Sequence, residues 1–343
     1  MIKLHTNKSL LTPENRSTAH PLIFDLHYFE AVHPSVLKSY SLVDNPHQAD
    51  AFLYPLDFLY QSAHIEKKEF KQLYDLALEH RKKLFVYTGG DYGKSFKNSQ
   101  IIPWRNAGFK STNEKNTIIV PAFISDPIER DDLTLKYHRY SKTPKISFTG
   151  FSTKNKIEKL RSFMSSLKRN AKIRLSKDES DYQKYYNAAG KRFRYLQKLE
   201  LSKEVDTNFI HRDKYRAGVQ TVTQKEQTTK EFFQNLNNSP YTFCLRGAGN
   251  FSVRFYESLA CGRIPVLIDT DVQLPLESVI DWDQHICRVN EKDNIVEKLL
   301  QFNKKLDNTS FVNLQKSNRN LFTETLQRHQ FFCTLYPVLK KLL

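Results

Sequence analysis

Cysteine is scarce in this chain: four in 343 residues, Cys244, Cys261, Cys287 and Cys333. So scattered a set excludes a zinc site of closely spaced ligand pairs, and so small a set excludes a disulfide scaffold. Two of the four fall inside apolar runs, where a reduced, buried thiol is the simplest expectation. Long apolar runs are missing too. Nowhere do 18 apolar residues follow one another, and the opening "MIKLHTNKSLLTPENRST" holds no apolar core of signal-peptide length. There is no internal repeat and no low-complexity tract. Acid is in short supply, with 37 acidic residues against 53 basic ones and a formal charge of +16. That excess points to anionic surroundings without choosing among nucleic acid, a phospholipid surface, phosphorylated sugars and a nucleotide-activated substrate. A solvated basic face fits it equally. The expectation is a cytosolic protein, able to rest peripherally on an anionic membrane through its charge.

What is present is enough for two folded domains. Apolar residues make up 39% and aromatics 13% of the chain, which is a core-forming composition. Short apolar runs alternate with longer helical patterns. "PLIFDL" (21–26), "AFLYPL" (51–56), "KLFVYTG" (83–89) and "TIIVPAF" (117–123) read as strands, and 65–82 reads as a helix with Phe70, Tyr74 and Ala77 on one face. A polar run, "ERDDLTLKYHRYSKTP" (129–144), marks a joint, and the alternation then restarts. "KISFTG" (145–150), "TNFIH" (207–211), "YTFCL" (241–245) and "IPVLI" (264–268) read as strands. Helices are predicted over 154–170, over 228–236 with Thr228 as N-cap and Glu231 in the capping-box position, and from Ser252 to Cys261. Past Asp293 the chain reads as largely helical. The pattern is α/β: mostly parallel sheets with covered faces.

Residues 168–203 are basic with aromatics interleaved. Such density suits single-stranded nucleic acid in principle, but no RNP-like strand, GXXG loop or zinc set accompanies it. A solvated helical face, or a cleft wall handling an anionic acceptor, are the other readings.

The stretch "CLRGAGNFSVRFYESLACGRIPVLID" (244–269) is the least ordinary. It runs strand, glycine-bearing loop, helix, strand, and a parallel β–α–β unit presents ligand-facing atoms where the first strand ends. Gly247 and Gly249 permit close backbone approach, and free amides at a helix start favour an anion. Arg246 lies in the loop. Arg254, in the first helical turn, can direct its donor fork to a diphosphate. Glu257, one turn on, can accept two ribose hydroxyls. Arg254 and Glu257 are also spaced as an i,i+3 ion pair, which alone would be worth a few tenths of a kcal/mol. The glycine spacing is neither GxGxxG nor that of a Walker loop, which disfavours a nicotinamide enzyme or a P-loop kinase.

These residues carry a resemblance. "FCLRGAGNFSVRFYESLACGRIPVLIDTDVQLPLESVIDWDQ" (243–284) resembles the signature of the exostosin family of glycosyltransferases, family 47 of that classification. The matching elements are Arg246–Gly247, Ser252–Glu257, Ala260–Gly262, Ile264–Val266, Leu274–Leu276 and Trp282. "TGGDYG" (88–93) looks like that family's Gly-Gly-x-Asp/Asn turn, "IIVPAF" (118–123) its proline-bearing strand, and "ISFTG" (146–150) its first strand after the joint. Lys154 and Lys156 stand where the family tends to have arginines, and residues 1–60 match in outline only.

The resemblance implies a GT-B fold, two Rossmann-like domains facing a cleft: 1–143 on the acceptor side, 144–318 holding the nucleotide sugar, and 319–343 a helical segment packing back on the first. It implies a nucleotide-sugar donor, a UDP-sugar by expectation, and a glycan or polysaccharide acceptor, anionic in one version. Transfer would be inverting and would need no metal, in the synthesis of a surface polysaccharide such as capsule or lipopolysaccharide. The donor-binding set expected from it is Arg246, Gly247, Gly249, Asn250, Ser252, Arg254 and Glu257, with His211 and Arg212 (and Lys214) from "FIHRDKYR". The general base is sought on the first domain: Asp91 in the Gly-Gly turn, then Asp25 and His27 in "FDLHYF", with Asp57 behind them. Asp91 could equally cap its turn, and His211 could equally be structural. "DTD" (269–271) reads superficially as a metal-holding pair without a third ligand. Two other classes stay open at this stage: a member that binds nucleotide sugar or a partner without turnover, and a basic nucleic-acid-associated protein.

Overall fold

Two separate parallel sheets organise the computed structural model, which describes residues 1–29, 33–60 and 64–343. The first is built from β1 (Ile2–His5), β2 (Tyr40–Val43), β3 (Ala51–Asp57), β4 (Leu84–Tyr87), β5 (Ile101–Arg105) and β6 (Ile118–Ile119). Its spatial order is β2-β1-β3-β4-β5-β6. The second contains β7 (Lys145–Phe151), β8 (Asp206–Arg212), β9 (Tyr241–Cys244), β10 (Ile264–Asp269) and β11 (Cys287–Asn290), in the order β11-β10-β9-β7-β8. Each sheet therefore places its first strand between its second and third. The chain winds outward both ways from that point, which opens a crevice at the carboxyl ends of the strands there. The α/β, GT-B-like expectation of two Rossmann-like halves facing a cleft describes this architecture.

Parallel strands covered on both faces require continuous apolar runs, not alternation. β3, "AFLYPLD", is buried at every position, and β9, "YTFC", likewise. The covers are helical. A single turn α1 (Pro21–Ile23), α2 (Pro34–Ser39) and α3 (His64–Glu79) belong to the first sheet's stretch of chain. Then come α4 (Lys156–Arg174), α5 (Ala188–Glu200), α6 (Val222–Asn237), α7 (Val253–Ala260), α8 (Ile295–Lys304), α9 (Asn308–Leu321) and α10 (Arg328–Leu342).

Three local expectations are corrected. "PLIFDL" is not a strand: Pro21 stands in the first helical turn, His20 accepts from the Leu22 amide as N-cap, and a π-turn follows over Phe24–Tyr28. Asp25 and His27 thus leave the strand end where they were expected. α6 starts six residues before Thr228, because Thr221 and Gln224 form the capping box; Glu231 lies mid-helix and pairs with Arg212 at 2.7 Å. "TIIVPAF" supplies only a two-residue strand before the chain leaves the sheet.

Two features set the halves against each other. The C-terminal α10 lies on the first sheet's core, where Phe331, Leu335 and Leu339 are buried with Ile2, Leu4 and Trp104. Tyr40 donates its hydroxyl to the Phe332 carbonyl at 2.7 Å, and Arg328 pairs with Asp25 at 2.6 Å. Buried side chains of this size are worth about 1.5–3 kcal/mol each. The second feature is the loop between α4 and α5, which straps onto the first half. Asp181 accepts from Ser95 and from Arg105 (3.0 Å), a guanidinium only 2% exposed, and the Asp181 amide donates to Gly93. Arg169 lies 3.6 Å over the Tyr92 ring. The turn 88–95 is thereby held beside the second sheet.

Candidate active site

The crevice at the carboxyl ends of β7 and β9 is a cleft of about 1390 Å³. Thr149 to Phe151 close β7 on one side, Leu245, Gly247 and Ala248 follow β9, and Ser252, Val253, Arg254 and Glu257 open α7 at its wall. Asp91 and Tyr92 enter from the first half.

α7 begins differently from the other helices of the second half that precede α10, whose N-cap Gln327 likewise makes no side-chain bond. α4, α5, α6, α8 and α9 each start on a side chain that accepts a hydrogen bond from the first turn. Ser252, the N-cap of α7, makes no such bond. The leading amides of a helix lack internal acceptors and carry partial positive charge, a chemistry that suits an anion.

Arg254 reinforces it. Its guanidinium donates from Nη2 to the Thr149 carbonyl at 2.7 Å and lies 4.5 Å over the Phe148 ring, while Nε is buried without an acceptor. Gly150 makes the room, since a Cβ there would stand 3.0 Å from Arg254 Nη2. Burial lowers the Arg254 pKa from its ordinary value, with Cys244 and Glu257 opposing, yet a guanidinium keeps its proton. Arg254 donates to Thr149 and not to Glu257. Burial pushes the Glu257 carboxyl up to about 7 against the attraction of Arg254, and no hydrogen bond contributes. Among the described residues, a guanidinium with an idle donor and a carboxyl without a hydrogen-bond donor thus line one wall. Groups so desolvated call for polar partners.

Other predicted site residues divide. Asp91 stands on the cleft, exposed, and its turn presses against the loop 246–250. A Cβ on Gly249 would lie 2.5 Å from the Asp91 carbonyl oxygen and 2.7 Å from its Cα. The close approach that Gly249 allows is therefore to protein backbone. Gly247 has no atom within 4 Å of a Cβ position, so its space is open. Arg212 lines the cleft while held by Glu231 and the Thr228 carbonyl.

Arg246, Asn250 and His211 turn elsewhere. Arg246 is buried between the rings of Tyr186 (4.7 Å) and Phe109 (5.1 Å) and donates to Gln183 and the Ala248 carbonyl. Asn250 donates to the carbonyls of Gly108, Thr270 and Asp271 and accepts from the Thr270 hydroxyl. These two side chains fasten the loop and do not line the cleft. His211 bridges Ser152 (3.0 Å) and Glu200 (2.9 Å) at the sheet edge. Lys214 packs beside Gly218.

Asp25 lies outside the cleft, buried in its pair with Arg328, and burial raises it to about 6. His27 is exposed, edge-on to Tyr28. Asp57 supports the candidate turn from beneath, accepting from the Gly89 amide at 3.1 Å. The acidic pair of "DTD" is engaged: Asp269 with Arg288 (3.0 Å) and the Val272 amide, Asp271 with Ser111. Among the described residues no group of three His, Cys, Asp or Glu side chains is placed to hold a metal ion.

Arg192 and Arg169 went unassigned at the level of sequence. Arg192 donates to the carbonyls of Phe151 (2.6 Å) and Arg246 (3.3 Å), clamping the ends of β7 and β9 at the cleft. Their signal was the basic, aromatic tract 168–203. With Lys154, Lys159, Lys184 and Arg194 they make the cleft strongly cationic against Asp91, Glu158 and Glu257, a field that concentrates anions.

A family profile described as "Exostosin GT47 domain" matches residues 6–302. A probable glucuronoxylan glucuronosyltransferase of Arabidopsis thaliana is 27% identical over 136 residues, covering 36% of this chain and 28% of that protein. This chain thus aligns with less than a third of that relative's length. Among solved structures, Anabaena HepE in complex with UDP is 9% identical, with 99% of this chain and 100% of that one covered and a TM-score of 0.38. A glycosyltransferase from Rickettsia africae is 9% identical, with 99% and 98% covered and a TM-score of 0.40.

Proposed function

We propose that this chain, which belongs to the exostosin family of glycosyltransferases, moves a sugar from a nucleotide-sugar donor to a hydroxyl of a glycan. The observation that carries the reading is the wall at α7, where an uncapped helix start, Arg254 and the carboxyl of Glu257, which has no hydrogen-bond donor among the described residues, share one cleft. A nucleoside diphosphate answers all three. Its phosphates suit the amides and the guanidinium, and its ribose hydroxyls suit Glu257. Gly247 leaves the diphosphate room to approach the backbone. As the sugar–phosphate bond breaks, charge grows on the leaving diphosphate, and these same donors stabilise it. The acceptor oxygen arrives from the first half, where Asp91 takes its proton. One displacement then inverts the anomeric centre, with no covalent intermediate. On this reading 1–143 and 144–318 act as the two working units, with 319–343 riding on the first. The setting is cytoplasmic synthesis of a surface polysaccharide.

The direct test is thermal shift with a panel of nucleotide sugars, followed by product detection with glycan acceptors. A bound donor raises apparent stability by mass action. No shift with any donor sinks the proposal, and shift without transfer or donor hydrolysis assigns the chain to binding alone.

The state of Glu257 makes the reading pH-dependent. Its raised pKa of about 7 leaves it mostly neutral at pH 6 and mostly ionised at pH 8. A carboxylate accepts both ribose hydroxyls and a protonated carboxyl does not, so affinity rises with pH. UDP-glucose, whose phosphates do not titrate in this window, is expected to bind about tenfold more weakly at pH 6 than at pH 8. Glu257→Gln should flatten the dependence. An equally flat wild-type curve by calorimetry removes Glu257 from the site.

Cationic side chains in the leaving-group position make a metal unnecessary. Donor turnover is expected to persist in excess EDTA. Loss in EDTA with recovery in Mn²⁺ or Mg²⁺ would overturn this and redirect attention to Asp269 and Asp271.

A further inference from the structure

α4 turns its apolar stripe to solvent. A helix on a sheet ordinarily buries that stripe and shows water its polar side. Of the 19 residues of α4 only Asn170 is buried. Glu158, Ser162, Ser165, Ser166 and Arg169 line the cleft. At 100° per residue, Ile157, Leu160, Met164 and Leu167 fall on the opposite side, and they are 60%, 60%, 56% and 46% exposed. Leu175, just beyond the helix, continues the stripe at 65% exposure. Basic residues edge it on both flanks: Lys156 and Arg174 on one, Arg161, Lys168 and Lys172 on the other. The whole helix carries seven basic residues and one acidic residue.

We propose that this face of α4 seats on an anionic lipid surface, its stripe at the headgroup–acyl boundary and its flanking cations on lipid phosphates. An apolar stripe flanked by Lys and Arg is the pattern that holds a helix in the plane of such a surface. A second copy of the chain is the poorer occupant. Two-fold pairing would set one strongly cationic helix against another, and a stripe of four helix side chains and Leu175 is small beside the roughly 20–30 residues that each partner of a stable complex contributes. The lipid contact stands independently of the sugar-transfer reading. Where both hold, the cleft on the helix's other side is brought within about one helix diameter, ~10–12 Å, of the bilayer. The substrate class that fits there is a glycan acceptor presented at the membrane surface.

The test is flotation with vesicles of phosphatidylcholine alone and with 30% phosphatidylglycerol, at 50 and 500 mM NaCl. Wild type is expected to partition at least tenfold more strongly onto the anionic vesicles, and to lose much of that in high salt. Leu160→Gln/Met164→Gln/Leu167→Gln alters only outward positions and should cut partitioning at least tenfold, with melting temperature and UDP affinity unchanged. Lys168→Gln/Lys172→Gln should weaken it severalfold at low salt. Absence of wild-type binding at 50 mM NaCl, or full binding by the triple variant, overturns the proposal. So does a dimer in sedimentation velocity that the triple variant converts to monomer, since a second copy would then cover the stripe. A loss of UDP binding in wild type would instead count against the donor site, not the lipid contact.

Discussion

Asp91→Asn is expected to slow sugar transfer by ~10²–10⁴-fold while donor affinity stays nearly constant. Asparagine keeps the size and polarity of the side chain and removes its basicity. The position should survive the exchange because backbone holds it: Gly90 turns at φ +76° and Asp57 grips the Gly89 amide. Gly249 has no side chain to displace the Asp91 main chain. On the proposed reading the leaving group sits with the second half, so the attacking oxygen comes from Asp91's side. His27→Ala is the matched control, since His27 lies off the cleft and should be silent. Initial rates with donor affinity measured in parallel decide it. If Asp91→Asn turns over normally and His27→Ala or Asp25→Asn abolishes transfer, the base belongs to residues 24–28 and Asp91 is a turn residue.

Arg254→Ala should weaken UDP binding roughly 10- to 150-fold, the equivalent of about 1.5–3 kcal/mol for a charge-assisted contact. Part of the loss is indirect. Arg254 opposes the rise of the Glu257 pKa, so its removal drives that carboxyl further toward the neutral form, which on the proposed reading weakens its hold on ribose. Arg254→Lys restores charge but not the planar fork, nor its stacking on Phe148, and should recover only part of the affinity. Calorimetry alongside a melting curve separates binding from folding. If UDP affinity is unchanged in a folded Arg254→Ala protein, the guanidinium serves only to fasten α7 to β7 through Thr149.

The sequence was informative where one physical signal dominated. β3, β4, β9 and β10 are runs with few polar interruptions and could be placed from hydrophobicity alone. β1 "IKLH" and β11 "CRVN" are short and half polar, so neither announced itself. "PLIFDL" misled because apolar content does not tell a strand from a turn whose shape Pro21 and His20 decide. In the site, the loop and α7 were legible, but side-chain direction was not. Arg246 and Arg254 are eight positions apart and chemically identical; one is clasped between aromatic rings from distant segments and the other reaches the cleft. Nor could local pattern pair Arg105 with Asp181, 76 residues later. That strap exists only in three dimensions.

Gly249 against the Asp91 main chain has one more implication. Two loops from different halves meet there through atoms that every residue possesses, so their separation works as a mechanical stop. On the proposed reading, the stop sets how far an incoming oxygen stands from the departing phosphate, whatever sugar lies between. Side chains around the rest of the cleft are then free to diverge toward new donors and acceptors, while the distance over which the bond is exchanged stays gauged by backbone.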